Sequence, residues 1–532
     1  MSRARSHWAW GFVDAFPDDE ARTALATQIA FLLGGDAPAL SPLPTLADVR
    51  VAPARIAVPS RWKDFATTHD DDRIRHAWGR AYPDLVRGFR GDFSAAPDVV
   101  AYPRTDDDLV ALFEEASSVG AVLVPFGGGT SVVSGVTCVG TKPVVAVDLR
   151  ARARVLEVDP VSRLAHIEAG ATGPDLEAQL RAHSLTLRFF PQSFELSTLG
   201  GWIATRAGGH YATLATHIDD LTTAVRMLTP RGPFETARFP ASGAGPDPKR
   251  LVLGSEGTLG VITSAWMRVV PRPTFRADAN VFFEDFGAAV DAARKIAQSG
   301  LNPANARVLD PREALLNGVA MDGTSVLVLG FESADHELES AIARALVIAT
   351  RAGGVCPDGA RVRGHASTAR GEKTASETWR ASFLRGPYLQ SALVSLGMVV
   401  DTFETACTWD AFDGLLREVK GSLRALFERH GQRGSISCRF THLYPDGPAP
   451  YFTFAVRPPR PGAELELWEQ AKRTASDAVT RAGGTITHHH AVGRAHMPWY
   501  RTEVPSLFRE SLGAVKKSLD PAALMNPGVL LG

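Results

Sequence analysis

A glycine-rich loop that follows a short apolar run places the strongest constraint on how this chain folds. The apolar run is Ala121–Val124, and the loop is Pro125-Phe126-Gly127-Gly128-Gly129-Thr130-Ser131. The apolar run predicts a buried strand. Because three successive glycines lack Cβ atoms, the backbone can turn tightly and its N–H groups can converge on an anion. The pattern predicts a pyrophosphate-binding loop, with an ordinary glycine-rich turn as the alternative.

Two further clusters of glycines and hydroxyl residues favour the binding loop over the turn. They lie at Pro191–His210 and Gly254–Thr263, so the three clusters begin about 65 residues apart. The first loop is not a Walker A motif, because no Gly-Lys-Ser/Thr follows it. It is not a Rossmann fingerprint either, because no GxGxxG opens a helix there. Together the clusters indicate a flat ligand held close to the backbone.

Composition indicates an ordinary soluble protein of two or three domains. The chain has 532 residues, 45% apolar and 22% charged, and a net charge of −1, which gives no indication of nucleic-acid binding. The N-terminus lacks an apolar signal region, and no run of about eighteen apolar residues occurs. Four cysteines without CxxC spacing indicate free thiols in a reducing compartment, and we predict a cytoplasmic protein. They are Cys138, Cys356, Cys407 and Cys438.

The order of predicted strands and helices indicates an α+β chain with a boundary near Pro271. Asp106–Ser118 has the apolar spacing of an amphipathic helix, and the first α+β region ends at the Pro271-Arg272-Pro273 linker. Two rounds of strand and helix are predicted after it. These are Ala277–Phe283 with Phe286–Ser299, and Ser325–Phe331 with Leu338–Ala352.

The three clusters resemble the flavin-binding superfamily that includes vanillyl-alcohol oxidase and p-cresol methylhydroxylase. In that superfamily a GGGTS-like loop holds the FAD pyrophosphate, and a GSEGTLGVIT-like segment packs on the adenine side. The resemblance implies FAD contacts at Pro125, Phe126, Gly127, Gly128, Gly129, Thr130, Ser131, Gln192, Ser193, Phe194, Glu195, Leu196, Ser197, Thr198, Thr205, Arg206, Ala207, Gly208, Glu256, Gly257, Thr258, Leu259, Gly260, Val261 and Ile262. Some members attach the flavin through a histidine in the glycine loop. Since none stands between Pro125 and Ser131, the expected FAD is non-covalent there.

Other motifs are similar to the alkyldihydroxyacetonephosphate synthase family. They are Ser197–Arg206, Asp401–Thr405, His488–Gly493, and the tail with Leu519–Pro521 and Asn526-Pro527. The implied fold class is α+β, a two-subdomain FAD-binding domain of the p-cresol methylhydroxylase type with an α+β cap. The implied division is residues 1–95 as an N-terminal region packing on the FAD domain, 96–274 as the FAD-binding domain, 275–490 as the cap or substrate domain, and 491–532 as a C-terminal segment returning to the flavin domain.

The triple histidine His488, His489 and His490 is the first candidate for catalysis. The preceding Thr485-Ile486-Thr487 predicts a strand, which would place His488 and His490 on one face and His489 on the other. A proton-transfer site, a metal site and a structural cluster are all compatible with this pattern. Histidine suits proton transfer because its unperturbed pKa is about 6.5. Since no Cys or carboxylate lies at the usual ligand spacing, we predict no bound metal.

Tyr451 is the second catalytic candidate. It lies in the strand-like run Pro450–Ala455, where an aromatic residue is usually part of a core. The synthase family, however, has an essential tyrosine at this point, 37 residues before the triple histidine as in this chain. The resemblance therefore implies a phenol that binds a substrate oxygen or transfers a proton.

The predicted substrate site departs from the family at Gln390. The synthase family has an arginine there, and a neutral amide cannot replace its charge toward a phosphate. Arg385 is the predicted replacement. His442 is a further predicted substrate contact, and the neighbouring Arg439 is another candidate.

The resemblance implies a flavoenzyme of ether-lipid synthesis. Such an enzyme exchanges an ester-linked acyl chain for a fatty alcohol through a flavin N5 adduct, without net redox change. The implied partners are a small-molecule or lipid substrate and no nucleic acid; a peripheral membrane contact and a homodimer are compatible with it. An FAD-linked oxidase or dehydrogenase of a 2-hydroxy acid or alcohol is the alternative, and a non-catalytic flavoprotein is a third hypothesis.

Overall fold

The structure is a computed structural model that describes residues 3–137, 140–364 and 386–531. Within those ranges the backbone forms three main sheets and one two-stranded ribbon, with helices packed on the sheets. This arrangement confirms the predicted α+β class. In the same ranges no helix combines the length and apolar character needed to cross a membrane.

The glycine loop leaves the first sheet, whose strand order is β1-β2-β4-β3. The strands are β1 (Ala66–Thr67), β2 (Val99–Ala101), β3 (Val122–Phe126) and β4 (Val144–Asp148). Strands β2, β3 and β4 are parallel, and β4 is buried along its whole length, as expected for a parallel strand covered on both faces. The loop therefore starts at the carboxyl end of a rigid, buried strand.

The helix predicted between β2 and β3 has the predicted bounds, Asp106–Ser118. The Thr105 hydroxyl accepts the Asp108 N–H at 3.1 Å, and the Asp108 carboxylate accepts the Thr105 N–H at 3.1 Å. This reciprocal capping box fixes the start of the helix. Leu109, Leu112 and Ala116 lie on one face, which is fully buried against the first sheet.

The second sheet is antiparallel, with order β5-β6-β10-β8-β9. Its strands are β5 (Val155–Asp159), β6 (Leu164–Glu168), β8 (Thr222–Thr229), β9 (Gly232–Glu235) and β10 (Val261–Arg268), and the ribbon is β7 (Leu185–Thr186) with β11 (Val270–Pro271). The GSEGTLG segment lies directly before β10.

The third sheet has seven antiparallel strands in the order β15-β12-β14-β13-β17-β18-β16. They are β12 (Phe275–Phe283), β13 (Asn305–Leu309), β14 (Ser325–Ser333), β15 (Arg361–Arg363), β16 (Val399–Glu404), β17 (Gly434–Leu443) and β18 (Pro448–Val456). The two predicted strand–helix rounds are confirmed, with ends shifted by one or two residues.

Helices join and cover these sheets. They are α1 (Asp19–Leu33), α2 (Asp70–Arg75), α3 (Tyr82–Phe89), α4 (Asp106–Ser118), α5 (Gly173–Arg181), α6 (Leu199–Thr205), α7 (Ile218–Leu221), α8 (Phe286–Ala297), α9 (Pro311–Leu316), α10 (Glu339–Arg351), α11 (described over 386–395), α12 (Phe412–Arg429), α13 (Glu464–Arg481), α14 (Met497–Glu503) and α15 (Ser506–Leu519), with short 3-10 turns at Val13–Ala15, Leu46–Asp48, Ser60–Trp62 and Pro248–Leu251. Helices α8, α10, α12 and α13 share one apolar core with the seven-stranded sheet.

Strand β18 shows how the seven-stranded sheet serves two purposes. Phe452 and Phe454 are fully buried in the core shared with the helices. Tyr451, Thr453 and Ala455 instead line a cavity on the other face. The strand predicted at Pro450–Ala455 is therefore confirmed, and its two-residue period separates core from cavity.

The C-terminal part of the chain returns to the first sheet. The Leu123 N–H donates to the Leu524 carbonyl at 2.8 Å, and the Asn526 N–H donates to the Leu123 carbonyl at 2.8 Å. These bonds place the tail beside the strand that carries the glycine loop. The division at residues 96, 275 and 491 stays a prediction.

We expect Phe452→Ala to lower the free energy of unfolding by about 3–5 kcal/mol, because it leaves a cavity in a closed core. Phe452 is fully buried and stacks on Phe403 with ring centroids 5.0 Å apart. Urea unfolding followed by circular dichroism measures the effect. Phe239→Ala is the matched control, since Phe239 is 59% exposed and its loss should change stability by less than about 0.5 kcal/mol.

Candidate active site

The glycine loop packs so closely on its neighbours that side chains would not fit. A Cβ on Gly127 would lie 2.3 Å from Thr198 Oγ1. A Cβ on Gly128 would lie 2.1 Å from the Leu196 carbonyl oxygen. Gly129 has a φ of +63°, a conformation that L-residues rarely adopt. The three glycines are therefore required by this geometry, and their backbone forms a surface without side chains.

The second and third clusters both meet the glycine loop, the third at Gly257, where an added Cβ would lie 2.9 Å from the Pro125 side chain. Thr198 precedes helix α6 and lies against the loop through the contact with Gly127. Glu256 is buried and accepts the N–H groups of Val492 at 2.9 Å and Gly493 at 2.8 Å. The Asn526 amide donates to the Glu256 carbonyl at 2.7 Å, so the C-terminal tail closes the same corner.

A cavity of about 680 Å³ runs from the glycine loop to the seven-stranded sheet. This volume lies within the range of cofactor and ligand sites. One end is lined by backbone and hydroxyl groups of the three clusters, and the other end by Arg307, Arg439, Tyr451 and His442. Most of the predicted cofactor residues and three of the predicted catalytic residues, Tyr451, His489 and His490, therefore face one space.

Most of the predicted FAD contacts line this cavity, but seven do not. Those that do are Pro125, Phe126, Gly127, Gly128, Gly129, Thr130, Ser131, Gln192, Ser193, Ser197, Thr198, Thr205, Ala207, Gly208, Glu256, Gly257, Gly260 and Ile262. Phe194, Glu195, Leu196, Arg206, Thr258, Leu259 and Val261 lie outside the lining. Leu259 and Val261 are fully buried in the core, and Arg206 pairs with Asp219 at 2.9 Å. The prediction assigned every residue of each continuous stretch to the FAD site. Neighbouring side chains along such a stretch point to different sides of the backbone, so only some of them face the cavity.

The strand predicted through the triple histidine is wrong. Residues 485–490 form a loop that wraps around the carboxylate of Glu404, at the end of β16. Glu404 accepts the N–H groups of His488 at 2.6 Å, His489 at 3.2 Å and His490 at 2.9 Å. Because the backbone curls around one acceptor, strand alternation does not apply. His489 and His490 line the cavity, while His488 lies behind them and joins His489 through an Nδ1–Nδ1 contact of 3.0 Å.

Burial keeps these imidazoles neutral. It lowers the pKa of His489 to about 3 and that of His490 to about 4, and it lowers the pKa of His488 well below the usual value. Burial opposes ionisation of Glu404, but two effects hold its pKa well below the usual value. They are the attraction of the three imidazoles, which acts when acid protonates them, and the hydrogen bond from the Thr487 hydroxyl. The cavity wall thus carries neutral imidazoles, with a carboxylate directly behind them.

Tyr451 lies on the same wall, with its ring 6.1 Å from that of His489 and nearly parallel to it. The phenol donates a hydrogen bond to Thr402 Oγ1 at 2.9 Å, and the guanidinium of Arg439 lies 3.9 Å from the ring centroid. Burial raises the pKa of Tyr451, so the phenol is protonated at neutral pH. A proton donor and a proton acceptor therefore lie side by side.

Two buried arginines beside Tyr451 give the wall a positive end. Arg439 pairs with Glu313, and its Nε has no hydrogen-bond partner among the described residues. Arg307 donates to Asn305 Oδ1 at 3.1 Å and to the His210 carbonyl at 2.6 Å. Burial, and then Arg439, lower the pKa of Arg307 to about 9. Two guanidiniums with one close carboxylate form a site for an anionic group.

Sequence reasoning did not single out Arg307, Glu313 or Glu404. The available signal was a charge within an apolar strand, as in Asn305-Ala306-Arg307-Val308-Leu309, since a buried charge needs a partner. Glu404 stood in a family motif without a role. Its function as acceptor for the histidine loop depends on a contact across more than 80 residues of chain.

The predicted substrate contacts have mixed outcomes. Gln390 lines the cavity and donates to the Val400 carbonyl at 3.3 Å, while its side-chain oxygen accepts the Trp10 indole N–H at 3.3 Å. His442 is buried in the lining, with its Nε2 3.0 Å from the Gly209 carbonyl. Arg385 lies outside the described residues.

Three imidazoles also come close enough to share an ion. Ligand atoms of His442, His488 and His489 all lie within 4.8 Å of one another. Neutral, buried imidazoles are suitable metal ligands. The structure thus brings together three possible metal ligands that do not stand at the usual spacing in the sequence. A metal site therefore stays one of the alternatives for these histidines.

Comparisons with known proteins agree with this fold and with FAD as the cofactor. Two family models match, an FAD binding domain over residues 97–238 and the C-terminal domain of FAD linked oxidases over 272–530. Alkyldihydroxyacetonephosphate synthase of Dictyostelium discoideum is 30% identical over 486 residues, covering 86% of this chain and 77% of that protein. A solved alkyldihydroxyacetonephosphate synthase structure is 25% identical with a TM-score of 0.81, over 98% of both chains. A p-cresol methylhydroxylase structure, 15% identical over 88% of this chain and 94% of its own, shares the fold with a TM-score of 0.68.

The fold and the two family models define a flavoenzyme with an FAD-binding domain of the p-cresol methylhydroxylase type. FAD is its cofactor. Within this class the chain belongs to the alkyldihydroxyacetonephosphate synthase family. The structure fits FAD, because the backbone of the glycine loop and the hydroxyl groups of the second cluster line one end of the cavity of about 680 Å³. Gly127–Ser131 and Thr198 would hold the pyrophosphate.

We expect Gly128→Ala to abolish FAD retention, because the added Cβ would stand 2.1 Å from the Leu196 carbonyl and force the loop away. The flavin absorbance of the purified protein measures this directly. Gly414→Ala is the control, since nothing lies within 4 Å of that position in helix α12. A yellow Gly128→Ala protein with the wild-type FAD content would contradict the loop's role.

We expect stability to decrease as the pH falls from about 6.5 to about 4. Burial lowers the pKa of His489 to about 3, and those of His490 and His496 to about 4. The unfolded chain therefore binds protons below about pH 6.5 that the folded state refuses, so unfolding is favoured. Thermal unfolding across this range measures the slope. His496→Gln removes one such group and should give a shallower slope; an unchanged slope would contradict the explanation.

Proposed function

We propose that this flavoenzyme exchanges the acyl chain of an acylated, anionic three-carbon ketone phosphate for a fatty alcohol. The bond between the methylene carbon of the ketone and the acyloxy oxygen breaks, and a fatty acid leaves as its carboxylate. A carbon–oxygen bond to the alcohol forms, and the alcohol loses its proton. No net oxidation or reduction accompanies the exchange. Similarity to alkyldihydroxyacetonephosphate synthases supports this proposal.

The observation that carries the proposal is the arrangement on one cavity wall. Tyr451 and His489 form a proton donor and acceptor, and Arg439 and Arg307 form a positive end beside them. The register of strand β18 explains the arrangement. Tyr451 on β18 lies opposite Arg439 on β17 and opposite Glu404 on β16. One strand thereby joins the anion site to the acceptor of the histidine loop.

In this proposal the two arginines hold the phosphate. The Nε–H of Arg439 is buried and has no partner among the described residues, so it would donate to one phosphate oxygen. Arg307 supplies a second charge that Asn305 and the His210 carbonyl orient. Gln390, where the family has an arginine, then positions Trp10 and the chain near Val400 and need not bind the phosphate.

Tyr451 and His489 move protons at the substrate carbon. Bound FAD supplies an electrophilic ring that activates that carbon. Because burial lowers its pKa, the imidazole of His489 is uncharged at neutral pH and has a lone pair for the proton. The Glu404 carboxylate, 3.5 Å from its Nδ1, stabilises the positive charge that then forms. The protonated phenol of Tyr451 donates a hydrogen bond to the leaving carboxylate oxygen, and His489 accepts the proton that the alcohol loses. The buried wall limits water, which would compete with the alcohol.

An apolar side of the cavity suits a long chain. Trp10, Leu393 and Val400 line it, and Leu316 and Leu389 are 48% and 45% exposed at its edge. Partly exposed leucines that continue into a cavity form a path for a hydrocarbon chain. This feature favours fatty substrates over a short hydroxy acid.

FAD-linked oxidation of a 2-hydroxy acid or alcohol is the second candidate. The match to the FAD linked oxidase family model favours it, and Arg307 and Arg439 would bind a carboxylate as well as a phosphate. His489 would then take the proton of the hydroxyl group. The two candidates use the same residues and differ in whether electrons leave the substrate.

One pair of assays separates them. The purified protein is mixed without oxygen with the acylated ketone phosphate and labelled hexadecanol, and label in the product is counted. It is also mixed with 2-hydroxy acids and alcohols while the flavin absorbance is followed. We expect incorporation of label without bleaching. Bleaching without incorporation would replace the proposal with the oxidase candidate.

Tyr451→Phe and His489→Ala test the roles within the exchange. Each removes a group for proton transfer, so we expect turnover to fall about 100-fold or more while FAD is retained. Rates of label incorporation and flavin content are measured together. Thr453→Val, on the same face of β18, is the control and should keep most activity. Wild-type turnover in both variants would refute the assigned roles.

A further inference from the structure

The segment of residues 5–12 lies against the glycine loop, far from it in sequence. Ser6, His7, Trp8, Ala9 and Trp10 are all buried, although the segment has no regular helix or strand beyond one bridge between Arg5 and Phe12. The Trp10 N–H donates to Ser391 Oγ at 3.0 Å, which fixes the far end of the segment to helix α11. The segment therefore runs from the glycine loop to helix α11, which carries Gln390.

Arg5 makes a direct contact with the loop. Its Nη2 donates to the Gly128 carbonyl at 2.6 Å. Arg75 holds Arg5 in place by donating to its carbonyl at 2.6 Å. The Arg80 N–H donates to the Ser131 carbonyl at 2.6 Å, so the other end of the loop is held as well. When carbonyls on one side of a loop are bound to donors, its N–H groups are left to face the opposite side.

The neighbourhood carries an excess of positive charge. Arg5, Arg75, Arg80 and Arg150 lie close enough for mutual repulsion to act on Arg5, with Asp148 as the compensating carboxylate. Asp148 already pairs with Arg150 and contacts His76 at 2.9 Å. Burial, followed by repulsion from Arg150 and Arg80, lowers the pKa of Arg5 to about 9. Such a cluster is stabilised by an anion on the far side of the loop.

We propose that Arg5 is a positioning residue of the FAD site, which holds the Gly128 carbonyl so that the loop presents its N–H groups to the diphosphate. Its charge, with those of Arg80 and Arg150, also stabilises the diphosphate through the loop. The contact is between side chain and backbone across 123 residues, so no sequence pattern in the glycine loop reveals it. The inference concerns cofactor binding alone and is independent of the reaction proposed above.

The test measures FAD affinity of the apoprotein by quenching of flavin fluorescence. A hydrogen bond from a charged group contributes about 1.5–3 kcal/mol, so we expect Arg5→Gln to raise the Kd for FAD about 10- to 100-fold. Arg5→Lys keeps the charge but loses the planar fork, and we expect a loss of several-fold. Arg3→Gln is the control, because Arg3 pairs with Asp14 at the surface. The Kd of this variant for FAD should stay within about twofold of the wild-type value.

A second measurement separates a cofactor role from a general loss of structure. We expect the apoprotein Tm of the Arg5→Gln variant to match the wild type, while the increase in Tm on adding FAD becomes smaller. An equal decrease with and without FAD would overturn the proposal, as would a wild-type Kd. If the glutamine variant does not fold, Arg5→Lys decides, since wild-type affinity in that variant also overturns the proposal.

Discussion

Two buried carboxylates hold the short segment 488–493, and the rest of the site depends on them. Glu404, from the seven-stranded sheet, accepts three successive N–H groups of His488–His490. Glu256, from the third glycine-containing cluster, accepts those of Val492 and Gly493. One stretch of backbone is thereby fixed to both halves of the cavity. These bonds fix the position of the glycine loop relative to the wall that carries Tyr451 and His489. They are not easily broken, because a buried carboxyl group is costly without its donors.

In this site the histidines are neutral and the arginines are charged. The imidazoles of the histidine loop are partly buried and neutral, so the positive charge of the wall comes from Arg307 and Arg439. An arginine stays charged where a histidine does not, because its intrinsic pKa is far higher. A neutral base and an anion-binding pair can therefore lie within one cavity. This arrangement suits chemistry in which a proton moves beside a bound phosphate or carboxylate.

Much of the fold could be predicted from local patterns. The strand before the glycine loop, the helix Asp106–Ser118 and the strand–helix rounds after Pro271 all follow from periodicity, capping and proline positions. The prediction of a strand at Thr485–Thr487 was wrong, because β-branched residues there were taken for sheet pairing. In the structure, hydrogen bonds to Glu404 replace that pairing, and such a distant acceptor leaves no local signal.

The sequence by itself determined the cofactor loop, because tight turns and close backbone approach restrict a position to glycine whatever surrounds it. It also determined the flavoenzyme family, through three clusters in a fixed order. Only the tertiary structure decided which charged side chains line the cavity or support its wall and loop. Arg307, Arg439 and Glu404 come from separate strands of one sheet, and Arg5 comes from the far end of the chain. Their proximity depends on strand order and long-range packing, which residue patterns along the chain do not contain.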